Sequence, residues 1–528
     1  MSYIVLLITI LCIVGSALWT PGSIALLDFV LTPHMPVNWT EPWIFPVTNI
    51  LTYYLGSELI SRIFFIGILI SGAYLWILFA RWILWRFEYK KYQTILEIFG
   101  GIFFMINPFI YERMMVQPTI AFGIFLLGYA IYFLFFVHRV IFAGLFAGLA
   151  FVIMPHVSYM IALIYGLYLV FFVRSWKSFR EIILSLIVIL TLNLNWLFVP
   201  FFWVKNNITS ISSFSLSNLE AFRTQALAPL DVWSTNMLLY GFWGERYGNH
   251  YANVGFLSSL WYVAGFFVLL VTLFGIYRLY SHKRKLAISL SILWFLSLVF
   301  AIGIASPLTA SLTNWMIENV PLWQGYREPQ KWIGVLMIVE WIGFLIGLWY
   351  LLEKWGKDWV MRVSLIIVTS FLFLIYSPGP LLGYHGQLRT TVYPESFETF
   401  RAEMIPSFSG RILALPWHSY IGCKWNNRPV VANPIVWLLS PLSIVSSDNI
   451  EVGSILYSNS QTDQTRDIEK FLWTGEVAYL KNHRFTHIFL MRSCASSPKM
   501  EDLLSRVVES GTIVQEKIDD FYIFYRIQ

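Results

Sequence analysis

Asp28, Glu41 and Glu58 are the only acidic residues in the stretch 20–61, which contains no lysine or arginine. Asp28 stands inside the apolar run IALLDFVL. A carboxylate set among apolar residues near a membrane face is costly unless it is solvated or paired, so it is a candidate functional group. A carboxylate in such a place can act as a general base. A turn or capping acid at a membrane interface fits the same residue, and the sequence leaves both readings open.

Four further stretches bring charge together with aromatic residues. INPFIYERMMVQP carries Glu112 and Arg113, MPHVSY carries His156, YGFWGERYGNHY carries Arg246, and GYREPQKW carries Arg327, Glu328 and Lys331. The arginine fork matches two phosphate oxygens, so these residues suit a substrate with a phosphate. Each arginine equally fits an interface anchor or a buried pair with a neighbouring acid. His156 fits a substrate contact or a satisfied interfacial histidine. The tryptophans and tyrosines at 39, 43, 53, 54, 233, 243, 247 and 251 can stack on sugar rings or form an interfacial belt. No Cys/His spacing of a metal site is present, and a divalent metal is not indicated.

The elements that carry these residues are set by composition. Of 528 residues, 57% are hydrophobic and only 12% charged. A soluble domain carries about a quarter charged residues, so this is an integral membrane protein. The net charge of +6 reflects short basic clusters between apolar runs and does not point to nucleic acid. About eleven spans are expected, near 3–19, 62–85, 93–108, 119–137, 140–154, 157–173, 181–203, 255–280, 286–304, 332–352 and 363–377. The connections at 86–91, 138–139, 174–180, 281–285 and 353–362 are short and basic. The alternate connections, including loops 20–61, 109–118, 204–254 and 305–331, are longer and mixed. This alternation predicts a cytoplasmic N-terminus and places everything after Ser377 outside.

Residues 1–378 are thus read as a multi-span module and 379–528 as an extracytoplasmic α/β domain. SPGPLLGYHG is the linker. RILALPW and THIFLMR read as buried strands, DIEKFLWTGEVAYLKN and KMEDLLSRVVES as amphipathic helices. Cys423 and Cys494 fall in this part, where a disulfide and two free thiols both fit.

Several motifs carry a family resemblance. PGSIALLDFVLTP, INPFIYERMMVQPTIAFGIFLLGYA and GYREPQKW, with PHVSY and GRILALPWHSY…NRPVVANP…SSDNIEVGS, resemble the C-type glycosyltransferase superfamily (the GT-C fold). The branch they resemble includes arabinofuranosyltransferase-D-like membrane enzymes. The resemblance implies a glycosyltransferase of the plasma (inner) membrane, active in cell-envelope polysaccharide assembly. Its donor would be a polyprenyl-phosphate-linked sugar, and its acceptor a glycan, lipid or protein on the extracytoplasmic face. It implies Asp28 as catalytic acid of the first loop, and Arg327 with Glu328 as an arginine–acid pair. Asp28 stands alone where some relatives carry two acids, so no cofactor is implied with certainty. Two other expectations fit the residues: a non-catalytic GT-C-like scaffold, and a transporter built around Glu97 and Glu340.

Overall fold

The computed structural model describes residues 1–39, 41–86, 92–203, 216–247, 258–355, 358–377, 381–427, 430–447, 450–452, 455–458 and 462–528. The chain divides into two compact units. The first comprises Met1–Gly15, Trp39–Ile44 and Phe65–Gln387; the second comprises Ser16–Asn38, Phe45–Phe64 and Leu388–Gln528.

The first unit is a bundle of apolar helices. Among the described residues, eight helices are long and apolar enough to cross a bilayer. A ninth crossing results if Gln93–Ile106 and Pro108–Val116, bent by 47°, form one broken span. The expected spans at 3–19 and 140–154 are the shorter apolar helices Ser2–Leu18 and Val140–Ile153. Their seventeen and fourteen residues rise about 26 and 21 Å against a hydrocarbon core of about 30 Å. Length, not polarity, therefore separates these two from the other eight.

Helix Ile333–Trp355 is the bundle's axis, buried along nearly its whole length. Lipid chains give apolar helices no hydrophobic reason to associate, so close backbone approach must supply the contact. Gly343 and Gly347, four residues apart, provide it against helix Ser258–His282. A Cβ on Gly275 would sit 1.8 Å from the Gly343 carbonyl oxygen, and one on Gly347 would sit 2.2 Å from that of Val271. The Trp341 ring stacks on Phe103 at 3.8 Å and its indole N–H donates to the Gly100 carbonyl at 3.2 Å. Helix Trp176–Trp203 is the opposite case: Ile183, Leu186, Ile187, Leu190 and Leu194 are exposed, as a lipid-facing surface requires.

Proline breaks the helices at recurrent places. The residue before proline is pushed away from the helical region. Asn107 accordingly has φ −62° and ψ 160°, and its side chain accepts from the Ile110 amide to cap the helix that Pro108 begins. Gln117–Pro118, Met154–Pro155, Ser306–Pro307 and Glu328–Pro329 break the chain in the same way. The stretch 109–118, expected as a loop, is therefore mostly the short helix Pro108–Val116.

The second unit is built on a five-stranded sheet. Its order is Ile513–Ile518, Tyr522–Ile527, His487–Met491, Ile412–Leu415, Ile444–Val445. Tyr522–Ile527 runs antiparallel to both its neighbours, and Ile412–Leu415 runs parallel to both of its own. Alternation along ILAL sends Ile412 and Ala414 to one face and Leu413 and Leu415 to the other. The first face packs on Phe397 and Phe400, the second on Ile468, Phe471 and Leu504. The first face also receives Val30, a residue of the acidic stretch near the N-terminus. Cys423 and Cys494 form a disulfide.

Candidate functional site

Asp28 lies in the second unit, and six interactions fix the segment around it. Ser23 and Ile24 pair antiparallel with Thr391 and Thr390. Gly22, at φ +101°, is forced by the same pairing: a Cβ there would sit 2.5 Å from the Thr391 oxygen. The Ala432 amide donates to the Leu27 carbonyl at 2.7 Å. Val30 packs into the sheet's core. The Tyr393 hydroxyl donates to the Leu31 carbonyl at 3.0 Å, and His34 Nε2 meets Glu398 Oε2 at 2.6 Å.

Residues 26–29 close a tight loop, with the Leu26 amide donating to the Phe29 carbonyl at 2.8 Å. Asp28 is at its tip and exposed, whereas 23–26 and 29–32 are buried. The Tyr420 hydroxyl donates to Asp28 Oδ1 at 2.7 Å. Tyr420 belongs to the short strand Tyr420–Ile421, which pairs with Val431–Ala432, the strand that holds Leu27. The result is a solvent-facing carboxylate on a rigid support, with one oxygen oriented by a phenol. Nothing in the 20–61 stretch signals Tyr420; the LPWHSY motif that contains it does.

Glu112, Arg113, Glu328 and Lys331 meet in the first unit, all four buried. Arg113 Nη1 lies 2.8 Å from Gln117 Oε1 and 3.4 Å from Glu328 Oε2. Arg113 Nε is 3.4 Å from Glu112 Oε1, and Lys331 Nζ is 3.9 Å from Glu328 Oε1. Two short 3₁₀ turns, Trp323–Tyr326 and Pro329–Trp332, bring Glu328 here. They are fastened by the stacking of Tyr326 on Trp323 at 4.8 Å and on Trp332 at 5.7 Å. Burial opposes ionisation of Glu328, but the charges of Lys331, Arg113 and Arg327 outweigh it and hold the carboxyl down to about 2. Arg113 Nη2 and Glu112 Oε1 have no hydrogen-bond partner among the described residues.

The cations of this cluster are not equivalent. Arg113 and Lys331 are buried, whereas Arg327 is half-buried and lies over the Phe222 ring at 4.9 Å. His156 is half-buried, with its ring edge-on to Tyr326 at 6.2 Å. The Arg246 side chain lies outside the described residues, as do the Tyr247 side chain, residues 87–91, and residues 204–215 and 248–254 of loop 204–254. Of the aromatics, Trp39, Tyr53 and Tyr54 are exposed and Trp243 is buried. Trp43 and Trp233 donate to the Leu192 carbonyl and the Ser306 hydroxyl. Glu97 accepts from Arg81, Gln93 and Ser2, and Glu340 accepts from Trp294 at 3.0 Å. Among the described residues, no group of three or more His, Cys, Asp or Glu has the arrangement of a metal site.

No family model and no curated protein matches this sequence. Solved structures do. The chain superposes on arabinofuranosyltransferase AftD from Mycobacteria with a TM-score of 0.65 and 10% identity, over 100% of this chain and 40% of that one. It superposes on ArnT from Cupriavidus metallidurans bound to undecaprenyl phosphate with a TM-score of 0.50 and 11% identity, over 99% of this chain and 97% of that one. The chain thus spans well under half of the AftD chain. Both are GT-C glycosyltransferases, and the resemblance read from the sequence motifs is to the fold that this chain adopts.

Proposed function

We propose that this protein is a membrane glycosyltransferase that moves a sugar from a polyprenyl-phosphate donor to a hydroxyl of a glycan, lipid or protein acceptor on the extracytoplasmic face. The observation that carries the reading is Asp28: an exposed carboxylate at the tip of a loop whose flanks are buried and whose oxygen is oriented by Tyr420. The GT-C fold and the undecaprenyl phosphate bound to ArnT support the substrate class.

In this reaction Asp28 takes the proton of the acceptor hydroxyl as its oxygen bonds to the sugar's anomeric carbon. The bond from that carbon to the phosphate oxygen breaks, and polyprenyl phosphate leaves with the added negative charge. Arg327 is the proposed partner of that phosphate, because its fork matches two phosphate oxygens and the residue is half-buried, not buried. Glu112, Arg113, Glu328, Lys331, His156 and Arg246 are proposed substrate-binding residues, the first four as a buried charge layer that sets the local field. Eleven crossings, a cytoplasmic N-terminus and residues 379–528 outside complete the proposal. The Cys423–Cys494 disulfide supports that side, since disulfides persist in oxidising compartments.

The test is sugar transfer by the full chain in liposomes, with a panel of polyprenyl-phosphate sugars. Asp28→Asn removes the base at constant size and should lower the rate about a hundredfold or more. Undiminished transfer by the folded variant overturns the assignment of Asp28. No transfer by the unmodified chain from any donor of the panel overturns the enzyme reading in favour of a scaffold.

A further inference from the structure

A cavity of about 890 Å³ opens among the basic ends of the first unit's helices. Three helices run from the neighbourhood of the buried charge cluster to this cavity. Pro118–Ile131 begins beside Gln117, the partner of Arg113, and its continuation Tyr132–Phe136 lines the cavity. Ser158–Phe172 begins after His156 and ends with Phe172 in the wall. Arg284–Ile302 starts in the cavity and ends against Gly303, beside Pro329. Its 19 residues rise about 28 Å, close to the thickness of a bilayer core. The cavity and the charge cluster therefore occupy opposite ends of the same three helices.

The cavity wall has two chemistries. Four of the lining residues are cationic: Arg81, Lys283, Arg284 and Lys285. Arg81 is paired with Glu97 at 2.9 Å. Among the described residues, Lys283, Arg284 and Lys285 have no acidic partner within 4.0 Å. Much of the remaining lining is aromatic. Trp82 stands edge-on to Phe136 at 4.6 Å and donates to its carbonyl, and Phe135 packs edge-on to Phe172 at 5.5 Å.

The backbone here departs from regular helix in two ways. Residues Tyr132–Phe136 form a π-helical turn, a feature that recurs at functional sites. His138 has φ +56°, an uncommon conformation for a residue with a side chain. Burial, and then the nearby Lys283 charge, hold the His138 imidazole below its usual range.

We infer that this cavity is a binding site for an anionic glycerophospholipid of the surrounding membrane. The headgroup phosphate would sit against Lys283, Arg284 and Lys285, with the glycerol and upper acyl chains along the aromatic wall. The volume falls in the range of small-molecule sites, about 300–1,000 Å³. Basic pockets between membrane helices at their polar ends suit acidic lipid headgroups. A free phosphate would use the lysines but leave the aromatic wall unfilled.

The test is native mass spectrometry of the full chain with dioleoyl phosphatidylglycerol, dioleoyl phosphatidylcholine or inorganic phosphate, paired with thermal unfolding. Phosphatidylglycerol should give the most abundant adduct and raise Tm, and added salt should weaken both. The double change Lys283→Gln and Lys285→Gln should reduce that adduct at least fivefold, while Lys283→Arg with Lys285→Arg retains it. Lys499→Gln, in the second unit, should leave it unchanged. If the glutamine variant does not fold, the salt dependence and lipid preference of the unmodified chain still decide. Equal binding of phosphatidylcholine, or an equal Tm rise with inorganic phosphate alone, overturns the inference.

Discussion

The Tyr420 hydroxyl and Asp28 Oδ1 are 2.7 Å apart in space and 392 residues apart in sequence. The acid comes from the first connection of the chain and the phenol from the strand pair near residue 420. The segment bearing the acid is at the same time part of the sheet-containing unit, through paired backbone at 23–24 and the buried Val30.

Tyr420→Phe removes the orienting hydrogen bond and leaves Asp28 in place. A bond to a charged group is worth about 1.5–3 kcal/mol, which converts to roughly a tenfold loss of rate or more. The loss should fall in kcat, with KM little changed, if Tyr420 positions the base. Asp28→Asn combined with Tyr420→Phe should be no slower than Asp28→Asn alone. Additive losses would show that the two residues act independently.

Glu328→Gln leaves Arg113 and Lys331 buried without their common counter-charge. Breaking a buried pair from one side costs about 3–5 kcal/mol. The variant should therefore lose several degrees of Tm in detergent. Arg327→Lys, at the half-buried position, should keep the fold and weaken use of the donor, seen as a raised KM for it. A normal Tm for Glu328→Gln would show that the cluster does not bear on stability.

Gly347→Leu places a side chain where the Val271 carbonyl oxygen already lies, and Gly275→Val collides with the Gly343 backbone. Neither obstacle is a flexible side-chain end, so both variants should fail to yield monodisperse protein. Gly166→Ala is the control: nothing lies within 4 Å of its Cβ position, and helix propensity favours alanine by about 1 kcal/mol. Size-exclusion profiles compare the three.

Acid should loosen the second unit through Glu398. Its carboxyl is held below its ordinary value of 4.5 by hydrogen bonding to Arg401, against partial burial and with help from His34. A depressed folded value means the unfolded chain binds the proton more readily. The stabilisation is therefore complete above the ordinary carboxylate range and is lost as pH falls through it toward the lower folded value. Glu398→Gln should lower Tm at neutral pH and flatten its decline below pH about 5, read from thermal unfolding of the full chain.

Reduction of the disulfide should lower the unfolding temperature of the second unit. The bond closes a loop with a sequence separation of 71, for which chain entropy predicts about 4 kcal/mol. Cys423→Ser with Cys494→Ser should reproduce the effect of reductant and abolish any further response to it. Cys12→Ser, at the exposed free cysteine, should change neither. An unchanged Tm on reduction would contradict the entropic estimate.

Much was legible in the sequence because its physical cause is local. Apolar runs of bilayer length identify a membrane protein without any tertiary knowledge, since a lipid-exposed backbone must form its own hydrogen bonds. Eight of the expected runs correspond to helices long enough to cross, and those at 3–19 and 140–154 are shorter helices. The short motifs around Asp28, Glu112–Arg113 and Arg327–Glu328 carried the likeness to the GT-C fold, which the superposition on AftD bears out. The strand-like RILALPW and THIFLMR contain Ile412–Leu415 and His487–Met491, because burial on both faces demands unbroken apolar runs.

What the tertiary structure decided is long-range. No local pattern says that the 23–32 segment joins the sheet-containing unit, because the pairing of Ser23 with Thr391 depends on residues far along the chain. Tyr420 is an ordinary strand tyrosine until Asp28 is brought beside it. Arg113, Lys331 and Arg327 look alike as phosphate partners in the sequence. Only packing separates the first two, buried with Glu328, from the third, which keeps access to solvent. Residue type alone settles which positions are charged, apolar or able to bend the chain. Which charges neutralise one another, and which face outward, was decided by the folded arrangement, because Coulomb energy and burial depend on distances that no sequence spacing specifies.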